Sequence, residues 1–439
     1  MTTVNTTALA PTKAWTRLRQ WLPSRTADTD YWWNLTGLHL AKMLEAAGYS
    51  ADEQVDALLF HYHWIVPYLG PSPGTSNSNT VQWKSLLGVE GSPIEYSWKW
   101  NTSSGSSPDI RYTMEAISPY SGTPLDPLNQ QATIEMLHRI ASAVSSIDLT
   151  WTNHFLATLY DHDRGKYAQE AASGTHFATS IIVAAEWLPR GLSLKTYFVP
   201  RRVGQADGML PMAQWEDSIG QLIPSCPSRT AMHDFLESSP EGSFLKPYML
   251  AVDNVRPENS RLKLYFQTPH TSFASVREIM TLGGRIPVPE WQLHDLCTLL
   301  LAVSGLDPDF PDDQEVPCPE HYDPSAVDNF KELPILLSGY LYYFDIAPGP
   351  AVPGIKLYTP VRRYGPDDRA LAKGTTKWME THGRGEYCQR YMTMLEDLTQ
   401  HRNLEDGKGM QTYVSALFKG GELDITTYIG PEAYDAVRS

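Results

Sequence analysis

Three stretches of this chain repeat one pairing of side chains that can do chemistry: LSLKTYFVP at 192–200, SRLKLYFQTP at 260–269 and PGIKLYTPV at 353–361. Each sets a lysine two residues before a tyrosine. Side chains alternate across an extended strand, so Lys195 and Tyr197 share one face, as do Lys263 with Tyr265 and Lys356 with Tyr358. Arg261 falls on the same face as Lys263, and Arg111 in IRYTMEAI adds a cation from a further hairpin. Cations gathered in a low-dielectric interior repel one another unless a polyanion neutralises them, and a diphosphate is the natural guest. The interspersed tyrosines offer ring faces that stabilise a cation through their quadrupole. An anion cradle beside aromatic faces suits the departure of diphosphate from an allylic ester, which leaves a carbocation. The plainer reading is a helix-backed sheet with a wet face, where Lys and Tyr are ordinary.

Hydrophobic periodicity shows what must position these residues. Two helices are expected over 28–68, the second opened by a capping box from Ser50 to Glu53. Strand pairs follow at about 94–117, 180–200, 248–268, 340–361 and 410–430, with helical stretches between them. Asp126 with Pro127 predicts one helix start and Thr271 another. Helix pair then strand pair, five times over, is a repeat architecture. About ten antiparallel strands of this kind can form an open sheet or a barrel, and closure removes exposed edges. No linker divides the chain, so one domain over 1–439 is expected.

Composition narrows the function classes. The 439 residues carry a formal charge of −15, which argues against nucleic acid and against an anionic membrane surface. No apolar run is long enough for a membrane helix, and MTTVNTTALAPTKAW lacks the layout of a secretory signal. Cys226, Cys297, Cys318 and Cys388 show no metal-type spacing, so reduced thiols in a cytoplasmic protein are expected.

Several ordered motifs together carry a family resemblance: SPIEYSWKW, LSLKTYFVP, RLKLYFQTP, MTLGGR and YYFDIAPGPAVPGIKLYTPVRRYGPDD. With them the chain resembles a fungal indole prenyltransferase of the dimethylallyltryptophan-synthase type over nearly its whole length. That resemblance implies an α+β fold, the ABBA prenyltransferase barrel: about ten antiparallel strands in five αββα-type repeats inside a ring of helices. It implies a dimethylallyl diphosphate co-substrate, an aromatic acceptor, no essential metal, and a monomer or homodimer. Carried over by position, Glu95 accepts the indole N–H. Arg111, Lys195, Arg261, Lys263 and Lys356 bind diphosphate. Tyr197, Tyr265 and Tyr358 shield the dimethylallyl cation, with Tyr413 and Tyr428 as further candidates.

Some positions depart from the family pattern. A Tyr-x-Tyr pair on the first strand of the last hairpin falls on Ala416 and Phe418, and ATSIIVAAEW lacks a lysine suited to take the final ring proton. KPYMLAVDNV has no arginine for the carboxylate of free tryptophan, so the expected acceptor is a tryptophan-containing cyclic dipeptide or related indole alkaloid. Free tryptophan, tyrosine or another phenol is the alternative acceptor, and a non-catalytic ligand-binding barrel a further one. Competing motifs are weaker. Asp312-Asp313-Gln314-Glu315, Asp367-Asp368 and Asp161-His162-Asp163 read as turns and caps rather than metal ligands, and TLGGR as a helix-ending turn.

Overall fold

The five hairpins close on one another. In the computed structural model the ten strands β1 (Ile94–Lys99), β2 (Asp109–Met114), β3 (Ile181–Leu188), β4 (Gly191–Phe198), β5 (Lys246–Asp253), β6 (Leu262–Thr268), β7 (Tyr340–Ile346), β8 (Gly354–Thr359), β9 (Gln411–Lys419) and β10 (Glu422–Ile429) form one closed antiparallel barrel. Each strand pairs with its sequence neighbours, and β1 pairs with β10 to complete the ring. The structure describes residues 12–73, 83–88, 90–101, 106–175, 177–188, 191–205, 210–318 and 339–434. The reading of the N-terminal stretch therefore falls largely outside the described residues, as do parts of the loop between β1 and β2.

Strand alternation sorts the side chains into two populations. Tyr96, Trp98, Ile110, Tyr112, Leu264, Phe266, Tyr342 and Phe344 point outward and are buried beneath the helices. Trp98, for instance, packs edge-on against Trp100 and against Tyr391 of the helix Cys388–Leu398, with ring centroids 5.7 and 5.4 Å away. Burying a large side chain fully is worth about 1.5–3 kcal/mol, so this outer layer fixes which strand face turns inward. The opposite faces look into the lumen.

Local signals held unevenly. The capping box is present: Ser50 N donates to Glu53 Oε2 at 2.8 Å, and Glu53 N to the Ser50 hydroxyl at 3.3 Å. The Asp126 carboxylate accepts from Gln130 N and Gln131 N at 2.9 and 3.1 Å but is not the N-cap: Gln130 holds the cap position, and the helix starts at Gln131 rather than Pro127. The cause is Asn129, whose φ of 53° cannot belong to a right-handed helix. Ser272, not Thr271, caps the helix Phe273–Met280, because the Thr271 hydroxyl and backbone N–H both go to Glu315. The acidic motifs are spent on such bonds. Asp367 caps the helix Asp368–Thr381, Asp163 caps Arg164–Ala172, and Asp161 accepts from Val203 N at 2.7 Å. TLGGR ends a helix in a left-handed turn, with φ of 52°, 64° and 82° at Leu282, Gly283 and Gly284.

Candidate functional site

The lumen is built in layers, because equivalent positions on neighbouring strands stand side by side. Lys195 pairs with Asp253, Ala251 with Lys263, Lys263 with Asp345, and Tyr343 with Lys356. Arg111 stands opposite Glu186 on β3. Arg111, Lys195, Lys263 and Lys356 thus meet inside the barrel, while Arg261, just before β6, sits half-exposed at its rim. The expected convergence of cations is real.

The cations are not left to repel one another. Carboxylates that sequence reasoning passed over are interleaved with them. Glu186 pairs with Arg111 at 2.9 Å and Lys195 at 3.0 Å. Asp253 pairs with Arg261 at 3.0 Å and Lys263 at 3.7 Å, and Asp345 with Arg261 at 3.1 Å. Lys99 spans Asp109 and Asp424 further along the lumen, at 3.6 and 3.4 Å. Burial alone would push the Glu186 carboxyl up, but Arg111 and Lys195 outweigh it and hold the group at about 2. The chain therefore supplies its own counter-charges, which corrects the expectation that only a guest anion could neutralise the layer. Period-two alternation on IIVAAEWL and YLYYFDI was the available signal for Glu186 and Asp345.

Two lysines remain poorly compensated. Lys356 is buried and donates to Thr426 Oγ1 at 3.3 Å; burial, then the nearby Arg111, pulls its ammonium down to about 7. Lys263 is likewise buried, and burial followed by Lys195 lowers it to about 8. An entering polyanion would reverse both shifts.

Next to this layer stand the tyrosines. Tyr265 lies at the centre of the group, with ring centroids of Tyr343, Tyr358 and Tyr197 at 5.4, 5.9 and 6.0 Å. Tyr358 reaches Tyr428 at 5.8 Å, and Tyr428 reaches Tyr413 at 6.4 Å. Tyr343 was missed in the sequence because YLYYFDI holds three tyrosines; Tyr340 and Tyr342 belong to the outer core. The last hairpin also needs a correction. Ala416 and Phe418 face the helices, and the inward positions of β9 are Tyr413, Ser415 and Leu417.

Beyond the tyrosines the lumen opens into a cavity of about 120 Å³ lined by Glu95, Thr113, Tyr197, Tyr248, Tyr265 and Tyr358, with Leu86, Leu87 and Leu341 among its apolar walls. Among the described residues, Glu95 is the one carboxylate on this lining. It accepts from the Thr412 hydroxyl at 2.5 Å and is buried, not solvated as an ordinary strand carboxylate would be. Burial raises it to about 7, against the opposing pull of Thr412 and of Arg362. A carboxyl poised there can accept a hydrogen bond from a bound N–H or take a proton from a bound phenol O–H near neutral pH. Tyr413 belongs to this end, its hydroxyl accepting from Arg362 at 2.8 Å. Arg362 was also missed, since it follows β8 on a short helical turn, Val361–Tyr364. Among the described residues no group of three or more His, Cys, Asp or Glu side chains is arranged to hold a metal ion, and no helix is long and apolar enough to cross a membrane.

Known proteins share this architecture and sequence. The family model for tryptophan dimethylallyltransferase matches residues 28–394. Prenyltransferase anuH of Penicillium roqueforti is 70% identical over 98% of this chain and 94% of its own length. Xanthone prenyltransferase B of Emericella nidulans is 46% identical over 97% and 93% of the two chains. Among solved structures, AnaPT from Neosartorya fischeri superposes with a TM-score of 0.77 at 23% identity, covering 95% of this chain and 98% of that one. NotF in complex with brevianamide F and DMSPP superposes with a TM-score of 0.75 at 21% identity, covering 96% and 99%. At those identities the two structures speak for the fold alone.

Proposed function

The chain belongs to the tryptophan dimethylallyltransferase family of aromatic prenyltransferases, and from that premise we propose that it transfers a dimethylallyl group from dimethylallyl diphosphate to a ring carbon of a phenolic acceptor. The observation that carries this reading is Glu95: among the described residues the one carboxyl of an aromatic cavity, raised to about 7 and held by Thr412. A phenol, with an ordinary pKa of about 10, lies within reach of such a base, whereas an indole N–H stays neutral and can only be hydrogen-bonded. Relatives point the same way, since xanthone prenyltransferases B and A are 46% and 44% identical to this chain. The tryptophan cyclic dipeptide expected from the sequence is kept as the second reading, because KPYMLAVDNV offers no arginine for the carboxylate of free tryptophan.

In this mechanism the allylic C–O bond breaks and its electron pair leaves with diphosphate. Arg111, Lys195, Lys263 and Lys356 stabilise the charge that develops there, with Arg261 at the rim. Tyr197, Tyr265, Tyr343, Tyr358 and Tyr428 face the allyl cation and exclude water. Glu95 takes the phenol proton, so the ring carbon beside the oxygen attacks as an enolate equivalent and a C–C bond forms. The released diphosphate takes the ring C–H proton, whose bonding pair restores the aromatic ring as a phenolate, and Glu95 returns its proton to that oxygen. The basic layer supplies the leaving-group stabilisation, so we propose that no metal is essential. The enzyme acts as one cytoplasmic domain, a monomer or homodimer.

A panel of phenols and indoles with dimethylallyl diphosphate tests the acceptor, with products read by mass spectrometry and NMR and EDTA in a parallel arm. The reading expects C-prenylated phenols as the best products and turnover that survives EDTA. Faster turnover of a tryptophan diketopiperazine than of any phenol would replace it with the second reading.

A further inference from the structure

On β2 the lumen-facing residues are Arg111 and Thr113, and the same alternation carries Glu115, just past the strand, to that side. Its carboxylate is fully buried and gathers neutral donors from separate parts of the chain. Trp83 Nε1 and Asn129 Nδ2 each donate to Oε1 at 2.8 Å, and Thr179 Oγ1 donates to Oε2 at 2.6 Å. The Ser85 hydroxyl is a further donor. Burial raises the group to about 7, and these bonds oppose the rise. The reaction described above makes no use of this acid.

What the node holds is informative. Leu86 N donates to Thr179 Oγ1 at 2.9 Å, and Leu87 N to Ser85 Oγ at 3.3 Å. Backbone bonds from Ser85 N to Gly91 O and from Gly88 N to Ser92 O, both 3.1 Å, fold this stretch back on itself. Leu86 and Leu87 line the Glu95 cavity. Leu86 also packs with Val199, Tyr248 and Leu341 in an apolar cluster separate from the main core, against which Tyr358 and Tyr413 rest.

We propose that Glu115 is a positioning residue: by collecting the donors of Trp83, Ser85, Asn129 and Thr179 it fixes Leu86 and Leu87 as the wall that seats the acceptor ring and keeps water from the allyl cation. This rests on reading the Glu95 cavity as the acceptor compartment. Without that wall, water attacks the cation, an O–C bond forms, a proton goes to solvent, and dimethylallyl alcohol replaces the prenylated product. Glu115→Gln is a sensitive probe despite its matched shape. Its amide N–H₂ would face groups that are already donating, so the node must rearrange.

The test measures prenylated product per diphosphate released, with acceptor and donor KM, in Glu115→Gln, Thr179→Val and Leu86→Ala, each checked for folding by circular dichroism. In the variants the ratio should fall severalfold and acceptor KM should rise about 5–10-fold, with donor KM unchanged. Glu115→Asp should restore part of the loss. Should Glu115→Gln fail to fold, Thr179→Val and Leu86→Ala carry the same comparison. Folded variants that lose only thermal stability, with coupling ratio and acceptor KM intact, would overturn the proposal. Every variant is assayed with whichever acceptor the wild type uses best. A wild-type preference for indoles would then remove the phenol reading while leaving this comparison valid.

Discussion

Replacing Glu95 by glutamine should make the protein inactive and more stable at once, and both effects can be sized from the geometry. Glu95 is buried, faces the cavity beside Tyr248, Tyr413 and Tyr428, and is opposed in its upward shift by Thr412 and Arg362. Its value of about 7 lies above the ordinary 4.5, so folding favours the neutral acid. The cost of ionising it in the folded state grows as pH rises from about 4.5 to about 7 and is constant above that, reaching about 3 kcal/mol. Glu95→Gln removes that cost. It should gain up to about 3 kcal/mol of stability at pH 8 and almost nothing at pH 4.

Activity should move the other way. A base must be ionised to act, so kcat/KM for the acceptor should rise through about pH 7 and be about 10-fold lower at pH 6 than at its plateau. The glutamine keeps a hydrogen-bond acceptor for Thr412 but cannot take a proton, so turnover should drop about 10²–10⁴-fold with the limb near pH 7 abolished. Donor affinity should not change. The assays are kcat/KM from pH 5 to 9 at saturating donor and urea unfolding at pH 4 and pH 8. A flat wild-type profile, or a variant that keeps the limb, would refute the assignment of the base. A variant less stable than wild type at pH 8 would refute the burial argument.

Other consequences concern the donor layer. At pH 8 Lys356 is largely neutral and Lys263 about half neutral in the empty enzyme, so binding of inorganic diphosphate should take up more than one proton, seen as a buffer-dependent heat in calorimetry; Lys356→Met should remove most of that uptake and weaken binding. Asp253→Asn frees Lys263 and Arg261 from their carboxylate, so donor KM should fall about 3–10-fold while the melting temperature drops at pH 7; a rise in donor KM would contradict the charge balance drawn here. Tyr265→Phe keeps a ring beside Tyr343 and Tyr358 and should change kcat less than about 3-fold, whereas Tyr265→Ala should cost about 10-fold or more; equal losses would assign the effect to the hydroxyl.

Strand parity made much of the site legible. Once Lys195, Lys263 and Lys356 shared faces with their tyrosines, closure of the sheet had to bring them together, and β1 pairing with β10 does so. The same rule would have exposed Glu186, Asp253 and Asp345, but acids scattered over separate strands form no local motif. Charge pairs across a barrel depend on register between strands distant in sequence. Ala416 and Phe418 went astray on parity: Ser415 pairs with Tyr358 and Thr426 and so faces the lumen, which turns Ala416 and Phe418 towards the helices. Asn129 hides differently. An asparagine in the left-handed region delays its helix and donates to Glu115, and neither fact can be read from the chain around it.

The central claim is that prenyl diphosphate lies in the lumen with its anionic end among the lysines and its hydrocarbon among the tyrosines. A crystal structure with dimethylallyl thiolodiphosphate tests this most directly. The account predicts phosphate oxygens within hydrogen-bond distance of Arg111, Lys195, Lys263 and Lys356, and the prenyl group between Tyr265, Tyr358 and Tyr428, facing the Glu95 cavity. A ligand bound outside the barrel, or lying reversed with its prenyl group towards Lys99 and Asp424, would contradict it.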